Sequence, residues 1–149
     1  MEALTRLAKR LKNLDINEIL YEIYQKKEFQ ELVIDENLVE QLFKHGIDSK
    51  GNSLGEYAPS TIKAKKKKGQ PYDRITLIDH GDFYETYKFT AMKNGFDLFM
   101  DGKKESTDLF KRYGKDVLGL TDKSLDKICE LVRDEIIEYI KKEVSGVLD

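Results

Sequence analysis

The sequence has few of the residues that mark disulfide-rich, metal-binding or membrane-spanning proteins. Its 149 residues include one cysteine, two histidines, two prolines and no tryptophan. A single cysteine excludes an intramolecular disulfide and a cysteine-rich metal cluster. No apolar run approaches the roughly 20 residues of a membrane-spanning helix, so we expect no contact with a membrane. The initial stretch MEALTRLAKRLKNL lacks the apolar centre of a signal peptide, so we expect the protein to act in the cytoplasm.

Neither sign of charge dominates the chain. The 26 lysines and arginines stand against 28 aspartates and glutamates, which gives a formal net charge of −2. This balance excludes a uniformly basic surface for nucleic acids but leaves room for a local basic patch. Because 40% of the residues are hydrophobic and the chain is of ordinary domain length, we expect one domain spanning residues 1–149.

The apolar pattern predicts an α+β fold with a helical N-terminal part, a small antiparallel sheet and a long C-terminal helix. In the N-terminal part Asp15 is suited to cap a helix, and Gly46 is suited to end one. Apolar residues line one face of a helix at about residues 121–144, with Thr121 as its expected cap. Cys129 lies beside that face, which predicts a buried structural thiol rather than a nucleophile.

A β-hairpin is predicted at about residues 83–101. Residues 83–89 alternate in a way that places Phe83 and Phe89 on the same face of a strand. The dipeptide Asn94-Gly95 is a typical hairpin turn, and residues 96–100 alternate again along the returning strand. The hairpin is therefore expected to form the small antiparallel sheet.

A long basic loop is predicted at about residues 47–74, a stretch rich in Gly, Ser, Lys, Asn and Pro. Its length and weak periodicity indicate either a functional loop or a partly disordered one, within which Ser60 is suited to cap a short helix over residues 61–68. We expect its part from Gly51 to Tyr72 to be disordered in the free subunit and to order against neighbouring subunits. The loop contains a cluster of five lysines: Lys63, Lys65, Lys66, Lys67 and Lys68.

The lysine cluster permits three interpretations. The lysines could neutralise phosphates of a nucleic acid, could form a solvated loop face, or could steer the chain onto an acidic partner protein. Aromatic residues are not interleaved within the cluster, so no platform for stacking bases is predicted. The residues themselves leave these alternatives open.

No catalytic, metal-binding or cofactor-binding residues are predicted. His80 lies in the sequence Asp79-His80-Gly81-Asp82, but no partner or nucleophile is identified nearby in the sequence. The glycines of the basic loop do not form a phosphate-binding GxxxxGK[ST] motif. A turn before the strand is therefore the predicted role of this tetrapeptide.

The order of motifs from residue 48 onward resembles a family of small tailed-phage proteins of virion morphogenesis. In that family a loop of the form Gly…Leu…Tyr-(Ser/Ala)-Pro-x-Thr…Lys precedes a turn that contains Gly-Asp/Glu and opens a β segment. The matching residues of the loop are Gly51, Leu54, Tyr57, Ala58, Pro59, Ser60, Thr61 and Lys63. The matching residues of the turn are Leu77, Ile78, Asp79, His80, Gly81, Asp82 and Phe83. A second glycine turn also matches, at Phe110, Tyr113, Gly114, Val117, Gly119 and Thr121.

The resemblance implies a non-enzymatic structural protein of the head–tail junction or upper tail, such as a connector, neck or tail-completion protein. It implies a ring of identical subunits whose partners are portal, connector or tail proteins, with non-specific contact to packaged DNA. Such a protein is expected in the host cytoplasm during assembly and then in the virion. The candidate assembly or DNA-contact residues are Tyr57, Pro59, Lys63, Lys65, Lys66, Lys67 and Lys68, and the candidate structural turn is Asp79, His80, Gly81, Asp82 and Phe83. The alternative is a small DNA-binding accessory protein that acts through the lysine-rich loop.

Overall fold

The computed structural model describes residues 1–79, 81–104 and 107–148, and it confirms the α+β class. Three helices open the chain: α1 (Glu2–Lys12), α2 (Ile16–Gln25) and α3 (Lys27–Asp35). Asp15 caps α2 as predicted, since its carboxylate accepts a hydrogen bond of 2.9 Å from the backbone N–H of Asn17.

Helix α3 continues without a break into a π-helix over Glu36–His45, here named the π segment. π-helical turns are uncommon and occur frequently at functional sites. The π segment ends at Gly46, which has the left-handed conformation predicted for it, with φ 59°. A Cβ atom at this position would lie 2.8 Å from the carbonyl oxygen of Ile75, so glycine is required for packing as well as for conformation.

The predicted basic loop contains more regular structure than its composition suggested. Ile47 and Ser53 form an isolated antiparallel bridge, and helix α4 (Pro59–Lys68) occupies much of the rest. The helix has proline at its first position and ends at Gly69, which is left-handed with φ 68°. The expected helix is confirmed, but Ala58 takes the cap position and Ser60 makes no capping bond. Lysine favours helices, which explains why a basic run without apolar periodicity is helical here.

The hairpin is confirmed at its tip and is shorter than predicted. Strands β1 (Lys88–Met92) and β2 (Gly95–Phe99) pair antiparallel, with Met92 opposite Gly95. The prediction that the first strand begins at Phe83 was wrong, because Asp82–Glu85 form a short helix, α5. The helical turn is stabilised relative to an extended strand in two ways. Phe83 is buried, and the Glu85 N–H donates a 3.0 Å hydrogen bond to the Gly81 carbonyl.

The remainder of the chain returns to helix through short elements. Strands β3 (Lys103–Lys104) and β4 (Thr107–Asp108) pair briefly, and they precede α6 (Leu109–Tyr113), a 3₁₀ turn (Lys115–Val117) and α7 (Asp122–Leu148). Thr121 caps α7 as predicted, because its hydroxyl accepts a 3.2 Å hydrogen bond from the Ser124 N–H.

Buried apolar residues form two clusters. The first joins the π segment to α5, α6 and the 3₁₀ turn, and its members are Leu38, Leu42, Phe83, Met100, Leu109 and Val117. The second joins α2, α3 and α7, and its members are Ile19, Ile23, Phe29, Val33 and Ile128. The hairpin packs on the second cluster through Phe89 and Phe96, whose stacked rings have centroids 4.8 Å apart.

Two buried amides of the π segment, Asn37 and Gln41, connect the halves of the chain. Asn37 donates to the Val117 carbonyl and accepts from the Gly119 N–H, both at 3.0 Å. Gln41 donates to the Gly119 carbonyl and accepts from the Thr121 N–H, both at 2.8 Å. This amide clamp satisfies backbone groups of Val117, Gly119 and Thr121, where the chain passes from the end of the 3₁₀ turn to the start of α7.

A buried carboxylate extends the amide clamp into α7. Glu36 accepts a 2.9 Å hydrogen bond from the Ser124 hydroxyl and forms an ion pair with Lys127. Tyr87 adds a third bond to the Asn37 side chain, with 3.2 Å between the phenol oxygen and the amide oxygen. Each of these buried polar groups therefore has a partner from a distant part of the sequence.

We expect Asn37→Ala to lower the free energy of unfolding by at least about 2 kcal/mol, because it leaves buried backbone groups of residues 117 and 119 without partners. Urea denaturation of both variants would measure the loss, with Asn17→Ala on the exposed side of α2 as the matched control. A loss for Asn37→Ala no larger than that for Asn17→Ala would contradict the assigned role of the amide clamp.

Candidate functional site

The predicted assembly residues lie on and around helix α4, where the lysines differ in their surroundings. Lys65 is only 6% exposed, and its ammonium donates to the Ile78 carbonyl at 2.8 Å and to the Gln70 side chain at 3.3 Å. The same ammonium lies 4.9 Å from the centre of the Tyr57 ring, which is a cation–π contact. Lys65 is thus part of the internal structure and does not offer its charge to solvent.

Two further lysines make contacts within the chain. Lys66 lies over the ring of Tyr72, with 4.7 Å between the ammonium and the ring centre. Lys68 forms an ion pair of 2.7 Å with Asp79. Lys63, Lys66, Lys67 and Lys68 are all exposed, whereas Lys65 is buried. The five lysines therefore do not act as one uniform basic patch.

An open groove of about 390 Å³ runs between α4, residues 75–79 and α6; it is here named the basic groove. It is lined by Tyr57, Ser60, Thr61, Ala64, Lys65, Lys68, Ile75, Leu77, Ile78, Asp79, Leu109 and Tyr113. Aliphatic and aromatic side chains make up most of the lining, and the Lys68–Asp79 ion pair adds charge to it. Such a surface suits an apolar anchor with polar neighbours, as found in peptide-binding grooves.

One wall of the basic groove is held by Thr76, which is fully buried. Its N–H donates to the Tyr57 hydroxyl at 3.0 Å, and its carbonyl accepts from the Tyr84 hydroxyl at 2.6 Å. The next residue, Leu77, has the left-handed backbone conformation, with φ 58°. This conformation is strained for a bulky residue, and such strain is concentrated at functional sites.

The predicted structural turn is divided between the groove and the core. Asp79 lines the basic groove, whereas Phe83 is buried in the first core cluster. Gly81 is left-handed with φ 88°, and Asp82 begins helix α5. His80 lies outside the described residues. The turn thus connects the groove wall to the core.

The structure brings together Tyr57, Lys65, Lys68 and Asp79 from the sequence predictions. Pro59 starts the helix, and Lys63, Lys66 and Lys67 do not line the groove. Sequence reasoning missed Ile75 and Leu109, for which no motif gave a signal. Tyr113 did belong to the second glycine turn, but its placement opposite α4 depends on the tertiary fold.

The described residues contain no group of three or more His, Cys, Asp or Glu side chains that could hold a metal ion. Cys129 is exposed, so the prediction of a buried thiol was wrong, because that edge of α7 carries no covering element within the described residues. No helix in the described ranges combines the length and apolar character needed to cross a membrane.

Comparison of the chain with models of protein families, with curated protein sequences and with solved structures found no match. Inferences about function therefore depend on the motifs of the sequence and on the geometry of the surfaces that the fold presents.

We expect Lys65→Ser to lower the free energy of unfolding by about 1–3 kcal/mol, because it removes the donor to the partly buried Ile78 carbonyl. The control is Lys67→Ser, which makes the same change on the exposed side of the same helix and should stay within about 0.5 kcal/mol of wild type. Urea denaturation measures both values. Equal losses would show that Lys65 is a surface lysine in solution.

We also expect stability to fall at alkaline pH. Burial, and then the neighbouring Tyr57, raises the pKa of Tyr84 above its ordinary value, and burial raises the pKa of Tyr87. The folded state thus favours the neutral phenols. Their contribution to the free energy of unfolding is fully present below pH about 10 and is lost as the pH rises further. Urea midpoints across this range should fall less steeply for Tyr84→Phe than for wild type. If the urea midpoint of Tyr84→Phe fell with pH as steeply as that of wild type, the assigned role of Tyr84 would be contradicted. Tyr72→Phe, at an exposed tyrosine, provides the control.

Proposed function

We propose that this chain is a non-enzymatic structural protein of a tailed bacteriophage, acting at the head–tail junction or in the upper tail. In this role it is a connector, neck or tail-completion protein that assembles as a ring of identical subunits. The basic groove receives a segment of a neighbouring protein in the particle. The resemblance of its motifs to phage morphogenesis proteins supports the location.

The observation that carries this proposal is the convergence of three separate motifs on one surface. Tyr57, Leu77 and Asp79 come from the loop and turn that carry the resemblance, and Tyr113 comes from the second glycine turn. These residues are far apart in sequence, yet all of them line the basic groove. Motifs that serve one contact surface are expected to meet in this way.

The chemistry of the basic groove supports recognition of a polypeptide. Ile75, Leu77 and Ile78 supply an apolar wall, and the Lys68–Asp79 pair supplies charge. An apolar side chain of a partner would gain from leaving water there, while the charged pair would select its polar neighbours. The DNA-binding alternative is supported by Lys63 and Lys67, which remain exposed on α4.

Deletion of the gene from the phage genome that encodes it tests the proposal. We expect electron micrographs of unjoined heads and tails, heads that leak DNA, or malformed tails. Wild-type protein supplied in trans should restore infectious particles, whereas Ala64→Trp, which fills the basic groove, should not. Lys63→Trp introduces the same bulky ring on α4 at a position that does not line the groove, so it should restore them.

Normal, infectious virions after deletion would remove the structural role. Thermal unfolding of Ala64→Trp is needed beside the complementation, because only a folded variant reports on the groove. If Lys63→Trp also fails and binding of wild type to duplex DNA weakens steeply with salt, the DNA-binding alternative takes first place.

A further inference from the structure

Helix α1 is amphipathic, yet much of its apolar face is exposed. It contains no buried residue, and Leu4 and Leu11 are 68% and 39% exposed. The helix carries Arg6, Lys9, Arg10 and Lys12 against the single acid Glu2, so it is strongly basic in a chain whose net charge is negative. An amphipathic helix is normally stabilised by burying its apolar face, so α1 presents a surface without a complete partner.

A matching surface lies on α7. An apolar groove of about 370 Å³, here named the α7 groove, runs beside its N-terminal half. It is lined by Tyr24, Phe29, Phe96, Leu125, Ile128, Cys129, Val132, Arg133, Ile136 and Ile137. Leu125 and Ile137 are 41% and 42% exposed, so two large aliphatic side chains face solvent at its edge. Within the described residues no element covers this groove.

The chain's own α1 occupies a different part of α7. Arg10 lies 3.9 Å from Glu143, and a Cβ on Gly146 would lie 3.6 Å from the Arg10 guanidinium. Helix α7 has 27 residues and α1 has 11, so at 1.5 Å per residue they measure about 40 Å and about 16 Å. One copy of α1 is too short to cover both halves of α7.

Charge favours a second copy of α1 as the occupant. Asp122, Asp126 and Glu130 are exposed along one side of α7, at four-residue spacing. Arg133 is the charged residue that lines the α7 groove, whereas Asp126 and Glu130 line a neighbouring groove with Lys123 and Lys127. The row of three acidic residues complements the excess of basic residues on α1, and such complementarity steers association. The apolar stripe of α1 suits the helix-in-groove mode, in which residues at helical spacing anchor the contact.

We propose that α1 of one copy docks in the α7 groove of another copy through Leu4 and Leu11. The contact is heterologous, because one patch meets a different patch on the next copy, and repetition of such a contact closes a ring when the rotation between copies permits. This deepens the proposed function by naming the surfaces between subunits, and its place in a phage particle rests on that function. The self-association of the chain through these two surfaces does not depend on the proposed function.

Single-thiol variants test the contact directly. Wild type carries its one cysteine, Cys129, in the α7 groove, and Leu11→Cys combined with Cys129→Ser carries one on α1. Because the two proteins each hold one thiol, a short bismaleimide can join them only between copies. We expect the mixed adduct in excess over both homodimers. Thr5→Cys with Cys129→Ser places the thiol on α1 at an exposed position off the apolar face, and it should lose the mixed adduct.

Equal yields of mixed adduct from the Leu11→Cys and Thr5→Cys variants, or no adduct from either, would overturn the contact. If wild type still sediments as an oligomer in that case, the ring proposal stands and only these surfaces are wrong. Protection of the Leu11→Cys thiol by anionic lipid vesicles, without any mixed adduct, would assign α1 to a lipid surface and would also overturn the contact.

Discussion

The hydrogen bonds that Asn37 and Gln41 make with residues 117–121 determine how the two halves of the chain meet. The Val117 carbonyl, both backbone groups of Gly119 and the Thr121 N–H lie outside any strand and have their partners in the amide clamp. Helix α6 lies just before this stretch and α7 just after it. The position of α6 sets Leu109 and Tyr113 in the basic groove, and the direction of α7 sets the α7 groove. Both proposed contact surfaces therefore depend on the clamp.

The lysines of helix α4 serve two purposes, since some make contacts within the chain and others present their charge to solvent. Lys65 stabilises the wall of the basic groove through the Ile78 carbonyl and the Tyr57 ring. Lys68 places charge at the groove through Asp79, whereas Lys63 and Lys67 remain exposed. A buried ammonium needs hydrogen-bond or aromatic partners to offset the loss of water, and here a carbonyl, an amide oxygen and an aromatic ring surround it. Steering of partners by charge would fall to the exposed lysines.

Local patterns in the sequence predicted the α+β class, the hairpin tip, the caps at Asp15 and Thr121, and the stop at Gly46. These features depend on neighbouring residues, so they can be recognised without knowledge of the fold. The strand at Phe83 failed because burial in the core overrode the alternating pattern, and burial of Cys129 failed because the sequence cannot say which side of α7 is covered. The π segment and the left-handed Leu77 gave no signal, since tertiary packing imposes them. The basic groove was predicted only in part, through Tyr57, Lys65, Lys68 and Asp79.

The central claim is that this chain is a structural component that works through contacts with neighbouring proteins. A cryo-electron-microscopy reconstruction of the head–tail junction and upper tail of the proposed phage particle would test it most directly. We expect a ring of copies with this fold in which a segment of a neighbouring protein fills the basic groove. A complete reconstruction in which no component has this fold, or in which the basic groove faces solvent in every copy, would contradict the claim.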